Sequence, residues 1–322
     1  MGVKEGSIRR LADFQPVQGT GWNPMLPKNE GMRISAETRI VGVIGWPIEH
    51  SLSPQMHNAA FRALGMNWCY VAFPVRPEHV PAAVAAVRAL SLGGLNVTIP
   101  HKQAAAALMD ELDTAAGITG AVNTICCFDN RVVGYNTDAE GFAQSLAAAG
   151  FKASGCKAAV LGAGGAARAL VVALAQMGAE QVQVIALREE AEAARQVAGL
   201  ATRVPESSTR GAASELNAQT LQAACESSDL LVNATPIGMY PHQNDDPPVQ
   251  ENWLRGRMWV YDLVYRPVET RLLRAARGRG CWAVSGIEML VRQGALSFRL
   301  WTGREPPLAA MREAVLAELQ GS

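Results

Sequence analysis

A lysine follows a short apolar run at residues 95–103, which read LNVTIPHKQ. Only five of the 29 basic residues are lysines, so Lys102 stands out in an arginine-rich chain. Burial can draw the pKa of a lysine toward physiological pH, whereas an arginine stays charged. Lys102 therefore suits a residue that gives up or takes a proton.

Other polar side chains also follow predicted strands in the first half of the chain. They form four clusters: Ser51 and Ser53 in SLSP, Asn96 and Thr98 beside Lys102 in NVTIPHK, Asn123 in AVNT, and Asn136 to Asp138 in NTD. Taken singly, each cluster is explained as a helix cap, a turn or a solvated charge. In open α/β sheets, however, ligands bind outside the carboxyl ends of the strands, where these clusters would converge.

Short apolar runs alternate with alanine-rich stretches from Arg39 onward, which predicts a mostly parallel α/β layer. The predicted strands are 40–45, 68–75 and 95–99, and the predicted helices are 54–65, 77–90, 102–112 and about 139–149. Between the last two helices, residues 121–138 are typical of a hairpin that turns at Asp129 and Asn130.

The strand–helix pattern starts again after the glycine-containing joint at 150–155, which indicates a second domain. Its predicted strands end at 161, 187, 235 and 265, and the closing segment from about 288 to 322 is helical with a break at GREPP. We expect a first α/β domain at 32–138 and a second at 139–292, and the pattern alone leaves open which of them the C-terminal helices at about 293–322 join. Residues 1–31 have no periodicity and are interpreted as a loose extension, with Met32 as a possible true start.

The segment KAAVLGAGGAARALVVALAQMG carries a dinucleotide-binding pattern. Gly162, Gly164 and Ala167 have the G-x-G-x-x-A spacing between a predicted strand and helix, where backbone N–H groups can bind a pyrophosphate. At the end of the next strand, Arg188 suits the 2′-phosphate of NADP, whereas Glu189 suits the ribose hydroxyl of NAD. On electrostatic grounds alone, binding of NADP is less favourable than binding of NAD. The pattern leaves open whether the protein uses NAD or both cofactors.

The bulk composition excludes several classes of partner. The formal net charge is zero, so neither nucleic acid nor an anionic membrane is expected to bind. No apolar stretch approaches the roughly 20 residues that span a bilayer, and the six cysteines have no zinc-binding spacing. We expect reduced, mostly buried thiols, no metal, and a cytoplasmic protein that binds a small molecule.

Eight motifs together resemble the shikimate dehydrogenase family, and they cover about residues 38 to 315. In chain order they are SLSP, NVTIPHK, AVNT, NTD, GAGGAAR, NATPIGM, YDLVY and GIEMLVRQGA. The resemblance implies a reversible, NADPH-dependent reduction of 3-dehydroshikimate to shikimate in aromatic amino-acid biosynthesis. It also implies an α/β substrate domain and a Rossmann domain with the active site in the cleft between them, in a monomer or a homodimer.

The resemblance implies roles for individual residues. Lys102 and Asp138 match the catalytic pair. The matches to substrate contacts are Ser51 and Ser53 for the carboxylate, Asn96, Thr98 and Asn123 for ring hydroxyls, and Tyr265 and Gln293 from the later part of the chain. The expected cofactor contacts are Gly162, Ala163, Gly164, Gly165 and Ala166 in the phosphate loop, Arg188 and Glu189 after the next strand, and Leu263 and Gly286 near the nicotinamide.

The sequence also departs from the family. NADP-using members typically have Asn-Arg-Thr where this chain has Leu187, Arg188 and Glu189, and Ser285 and Glu288 replace a common acid and a common glycine. NADP(H) is the family's cofactor, and Glu189 keeps NAD(H) open. The alternatives to a shikimate dehydrogenase are an NAD-preferring quinate/shikimate dehydrogenase and a non-catalytic ligand sensor, against which the intact Lys102 and Asp138 argue.

Overall fold

The computed structural model describes residues 34–239 and 245–321. The predicted N-terminal extension and the possible start at Met32 lie outside the described residues. Among the described helices, none is long and apolar enough to cross a membrane.

The first sheet has six strands in the order β2-β1-β3-β5-β6-β4. Their bounds are β1 Arg39–Gly45, β2 Trp68–Pro74, β3 Gly94–Val97, β4 Glu111–Leu112, β5 Thr124–Phe128 and β6 Arg131–Tyr135. β1, β2 and β3 run parallel, and the β5–β6 hairpin adds antiparallel strands beside β3. Asp129 and Asn130 both have positive φ at the hairpin turn, which confirms the prediction for this turn.

Helices connect these strands as the alternation predicts. Their bounds are α1 Ser53–Ala63, α2 Val80–Ala89, α3 Lys102–Ala106, α4 Thr114–Thr119 and α5 Thr137–Ala149. The buried faces of α1 and α2 pack against the sheet through apolar residues such as Phe61 and Val84.

The predicted helix at 102–112 is wrong beyond Ala106, because residues Glu111–Leu112 form β4 and pair with β6. The Asp110 carboxylate accepts a hydrogen bond from Val132 N at 2.7 Å, so tertiary pairing overrides the helix propensity of this stretch. The predicted third strand is also too long. It ends at Val97, and Ile99 is 66% exposed just before Pro100, which cannot donate to a ladder.

The second sheet is fully parallel, with its six strands in the order β12-β11-β10-β7-β8-β9. The strands are β7 Lys157–Leu161, β8 Gln181–Ala186, β9 Arg210–Glu215, β10 Leu230–Asn233, β11 Trp259–Asp262 and β12 Trp282–Ser285. The connecting helices are α6 Gly165–Gln176, α7 Ala191–Ala198, α8 Ala218–Ser227 and α9 Arg271–Gly278. This is the strand order of the doubly wound dinucleotide-binding fold, with β7 as its first strand.

Two C-terminal helices, α10 Ile287–Thr302 and α11 Leu308–Gln320, complete the chain on either side of the GREPP break. Val291 and Phe298 of α10 and Met311 of α11 are buried in the same apolar cluster as β1, β2 and α1. α10 also packs along α5. Although α10 follows the last strand of the second sheet, it therefore forms part of the core of the first sheet.

Candidate active site

A cavity of about 170 Å³ opens where the carboxyl ends of β1 and β3 face α6 and the beginning of α10. Its volume is below the usual 300–1,000 Å³ of sites for drug-sized ligands, so it suits a small metabolite. All nine residues predicted to contact or transform the substrate line it: Ser51, Ser53, Asn96, Thr98, Lys102, Asn123, Asp138, Tyr265 and Gln293. Val43, Met289 and Leu290 add apolar walls, and the sequence had assigned no role to these three residues.

Lys102 and Asp138 form a close ion pair in this cavity. The Nζ of Lys102 donates to Oδ2 of Asp138 at 2.6 Å, and the two side chains are only 14% and 7% exposed. Lys102 begins α3, whereas Asp138 lies in the first turn of α5, where a carboxylate is stabilised by the helix dipole. The amide of Asn136 caps α5 by accepting hydrogen bonds from the N–H groups of Asp138 and Ala139, which fixes the start of this helix.

Asn123 holds the other oxygen of Asp138. Its Nδ2 donates to Asp138 Oδ1 at 3.0 Å and to Thr137 Oγ1 at 2.9 Å. Its Oδ1 accepts from Thr137 N at 2.8 Å, which fixes the orientation of the amide. Asp138 is therefore held on both carboxylate oxygens, by Lys102 and by Asn123.

Asn96 is held by a layer of residues behind the cavity. Its Oδ1 accepts a hydrogen bond from the Tyr70 hydroxyl at 2.7 Å, and its Nδ2 donates to Asn123 O at 3.0 Å and to Ser297 Oγ at 3.0 Å. Burial raises the pKa of the Tyr70 hydroxyl far above its ordinary value, so this group stays a donor. Neither Tyr70 nor Ser297 was predicted, since one is part of an apolar strand and the other of a helical pattern.

The two serines of SLSP lie at the start of α1 and do not act as its cap. The N-cap residue is Leu52, with no side-chain hydrogen bond to the helix, and Ser51 Oγ accepts only from Ser53 N, at 3.3 Å. Both hydroxyls line the cavity, and the Ser53 hydroxyl also hydrogen-bonds to the Tyr70 hydroxyl. Tyr265 also lines the cavity, and burial raises the pKa of its hydroxyl, which therefore also remains a donor.

The glycine loop, residues 162–166, connects β7 to α6 and has the geometry that a pyrophosphate requires. Gly162 has φ +98°, and a methyl group added there would lie 3.1 Å from Thr235 Cγ2. Gly164 caps α6 without any side-chain hydrogen bond, and no atom lies within 4 Å of the position that its Cβ would take. The N-terminus of α6 thus leaves room beside Gly164 for a phosphate, which free N–H groups at a helix start can bind.

The remaining predicted cofactor residues fall into two groups. Ala166, Leu263 and Gly286 line the cavity itself, and a methyl group on Gly286 would lie 2.2 Å from Leu263 O, so only glycine fits there. Arg188 and Glu189 are exposed in a 3-10 turn at Arg188–Glu190, at the carboxyl end of β8 and away from the cavity lining. Ala163 is buried, and Gly165 is half-buried beside Lys102. The chain's own residues therefore fit a dinucleotide that extends from β8 across the glycine loop to the cavity.

Comparison with known proteins identifies the relatives of this chain. A family model described as "Shikimate dehydrogenase substrate binding domain" matches residues 43–125, and one described as "Shikimate 5'-dehydrogenase C-terminal domain" matches residues 286–316. The shikimate dehydrogenase (NADP(+)) of Methanopyrus kandleri is 47% identical over 288 residues, which are 89% of this chain and 98% of the relative.

Two solved structures give the same result. A shikimate dehydrogenase in complex with NADP+ superposes with a TM-score of 0.82 at 37% identity, covering 90% of this chain and 98% of the other. The shikimate 5-dehydrogenase of Thermus thermophilus, in complex with NADP(H) and shikimate, superposes with a TM-score of 0.76 at 38% identity, covering 87% and 99%. From the motifs, the fold and these similarities together, the chain belongs to the shikimate dehydrogenase family of oxidoreductases.

Proposed function

We propose that this chain is an NADP(H)-dependent shikimate dehydrogenase that reversibly reduces 3-dehydroshikimate to shikimate. The observation that carries the proposal is the buried pair of Lys102 Nζ and Asp138 Oδ2, 2.6 Å apart in a small cavity lined with hydrogen-bonding groups. The same cavity is bounded by Ala166 of α6 and by Leu263 and Gly286, which directly follow β11 and β12 of the second sheet, so that a substrate and a cofactor can meet there.

The bound cofactor supplies the hydride. Lys102 donates a proton to the substrate oxygen as that oxygen gains alkoxide character, and in the reverse direction it takes the proton back. Asp138 orients the ammonium group, and Asn123 holds the second oxygen of Asp138. The low exposure of the pair keeps water away from the proton that is transferred.

The remaining polar groups of the cavity select the substrate. The hydroxyls of Ser51 and Ser53 hold its carboxylate, and the amides of Asn96, Asn123 and Gln293 with the hydroxyls of Thr98 and Tyr265 pair with its ring hydroxyls. A site that pairs each hydroxyl rejects analogues that lack one, because a buried polar group is then left without a partner.

For the cofactor, the glycine loop and the N-terminus of α6 hold the pyrophosphate, while Leu263 and Gly286 flank the nicotinamide. Arg188 holds the 2′-phosphate of NADP. Glu189 weakens that contact by like-charge repulsion and gives the enzyme measurable activity with NAD. The support for NADP is Arg188, together with the printed names of the relatives.

The domain limits and the setting belong to the same proposal. Residues 32–138 form the substrate domain together with the helices at about 293–322, and residues 139–292 form the cofactor domain. The enzyme acts in the cytoplasm as a monomer or a homodimer, and its six cysteines, all free thiols in the structure, suit a reducing compartment.

One assay tests the proposed function. The purified protein is mixed with shikimate or quinate and with NADP+ or NAD+, and absorbance of the reduced cofactor is followed for the four combinations. We expect the highest kcat/KM for shikimate with NADP+. A higher kcat/KM for quinate with NAD+ would identify a quinate dehydrogenase instead, and binding without turnover in all four would identify a ligand sensor.

A further inference from the structure

One face of α6 lies against the first sheet's side of the cavity. Gly165 and Arg168 are three residues apart on this helix and therefore share a face. A methyl group added at Gly165 would lie 3.5 Å from Lys102 Cδ, so the helix backbone packs directly on the lysine stem. The helix that begins at the glycine loop thus contacts the proton donor through its first residue.

One turn further along, Arg168 contacts the end of α4. Its Nε donates to the carbonyl oxygen of Thr119, the last residue of that helix, and its Nη2 lies 3.4 Å from the position of a methyl group on Gly120. The last carbonyl groups of a helix have no partner within the helix, and a cation there is favoured by the helix dipole. Burial, with the nearby Arg203, lowers the pKa of Arg168, yet an arginine remains charged at any physiological pH.

The segment that Arg168 contacts, residues 119–123, makes hydrogen bonds that hold both members of the acid–base pair. Val122 N donates to Lys102 O at 2.9 Å, which holds the first residue of α3. Asn136 Nδ2 donates to Ala121 O at 2.8 Å, and the same side chain caps the helix that contains Asp138. Asn123 is itself part of the segment and holds Asp138 directly.

From these contacts we propose that Arg168 is a positioning residue, which fixes the cofactor-binding helix α6 at a set distance from the Lys102–Asp138 pair through the 119–123 segment. This inference rests on the proposed function and adds a residue to it. A misplacement of reacting groups by about 1 Å can lower a rate by about 100-fold, so a single anchor at this junction can affect kcat strongly.

Arg255 provides a matched control. Its Nε and Nη2 donate at 2.8 Å to Cys225 O and Ser228 O, at the carboxyl end of α8. It is thus also an arginine that satisfies carbonyl groups at a helix end, but both partners lie within the second sheet's layer. Arg168→Met and Arg255→Met each keep an unbranched stem and remove every N–H donor.

Hydrogen–deuterium exchange on the two variants, without ligand, tests the contact itself. We expect Arg168→Met to speed exchange several-fold in peptides that contain residues 119–123, and Arg255→Met to do so only in peptides that contain 218–228. Unchanged exchange at 119–123 in Arg168→Met would overturn the proposal, whether or not the protein turns over shikimate.

Kinetics then test the positioning role. We expect kcat for shikimate and NADP+ to fall at least about 10-fold in Arg168→Met, with KM for shikimate within about two-fold of wild type, since the substrate contacts are untouched. Arg255→Met should stay within about two-fold in both constants. Added guanidinium ion should restore part of kcat in Arg168→Ala and have no such effect on Lys102→Ala.

A kcat within two-fold of wild type in folded Arg168→Met would overturn the proposal. Arg168→Lys is the second variant if the methionine protein does not fold. It keeps the charge, but a single ammonium cannot reproduce the guanidinium geometry, so we expect an intermediate kcat. A wild-type kcat in Arg168→Lys would equally overturn the proposal. Absence of turnover in the wild-type protein would instead refute the proposed function, and the exchange experiment would still report on the contact.

Discussion

At the scale of single residues, the chemistry depends on which side chain can give up a proton. Lys102 is the only lysine between residues 29 and 151, and the structure holds its ammonium 2.6 Å from Asp138 in a largely buried site. An arginine there would form the same ion pair and could not donate. The proposed proton transfer therefore accounts for the residue type, and the ion pair with Asp138 places the ammonium that would donate.

Replacing Lys102 with methionine should lower kcat for shikimate oxidation by about 100-fold to 10,000-fold, the usual contribution of a general acid or base. KM should change much less, because the carboxylate and hydroxyl contacts remain. Steady-state kinetics at several pH values measure both constants. A Lys102→Met enzyme with nearly normal turnover would rule out the role of this lysine.

Replacing Glu189 with threonine, the residue that NADP-using members typically carry there, should lower KM for NADP+ several-fold and raise KM for NAD+, whose ribose hydroxyl loses the carboxylate acceptor. KM for NADP+ falls because a carboxylate repels a 2′-phosphate, which only NADP carries. Arg188→Ala is the complementary variant and should raise KM for NADP+ alone. If both variants change the two KM values in parallel, these residues do not select the cofactor.

At the scale of secondary-structure elements, Glu288 explains how α10 is joined to α11. This residue departs from the family pattern, and its carboxylate accepts from Arg312 Nε at 2.5 Å and from Arg312 Nη2 at 3.0 Å. The bond to Arg312 holds the pKa of Glu288 below its usual value, despite partial burial. The pair thus connects the helix that carries Gln293 to the helix that follows it. The structure offers no comparable explanation for Ser285.

A double-mutant cycle with Glu288→Gln and Arg312→Met should give a coupling energy of about 1 kcal/mol at pH 7, because both side chains are about one-third exposed. Glu288 has a lower pKa when folded than when unfolded, so its contribution is present above about pH 4.5 and is lost as pH falls through the folded value. Urea unfolding at pH 7 and pH 3.5 measures the change. A coupling energy that is equal at both pH values would contradict the assignment.

At the scale of the whole molecule, the core of the first sheet contains a histidine that burial keeps neutral at physiological pH. His57 is fully buried, its ring stacks on Tyr70 at a centroid distance of 4.4 Å, and neither ring nitrogen has a hydrogen-bond partner among the described residues. Burial lowers its pKa to about 3. The unfolded chain, in contrast, takes up a proton on this residue at about pH 6.5.

The folded protein should therefore lose stability as pH falls from about 6.5 toward 3, since the unfolded state binds one proton that the folded state does not. His57 alone should lower the free energy of unfolding by about 1.4 kcal/mol for each unit that the pH falls in this range. His57→Phe keeps an aromatic ring against Tyr70 and should remove this part of the slope. Urea unfolding of both proteins at pH 7, 6, 5 and 4.5 measures it, and parallel stability curves would refute the effect.

Residues with local signals were predicted well, and residues whose partners are distant in sequence were not. The glycine loop, the Asp129–Asn130 turn and most strands follow from periodicity and turn chemistry, which depend on neighbouring residues. β9 reads RGAASE, has no apolar run, and forms a strand only because it pairs with β8 at the sheet edge. Tyr70 and Ser297 likewise contact Asn96, and Arg168 contacts Thr119, only across elements that are far apart in the chain.

The sequence by itself therefore determined the fold class, the dinucleotide-binding pattern and the types of side chain at the site, because residue identity and spacing are enough to indicate them. The tertiary structure decided that nine polar residues spread from Ser51 to Gln293 line one cavity, and that Lys102 meets Asp138 there. It also decided where residues 102–112 stop being helical. The physical reason is that long-range packing and strand pairing contribute more free energy than the local preference of a short segment.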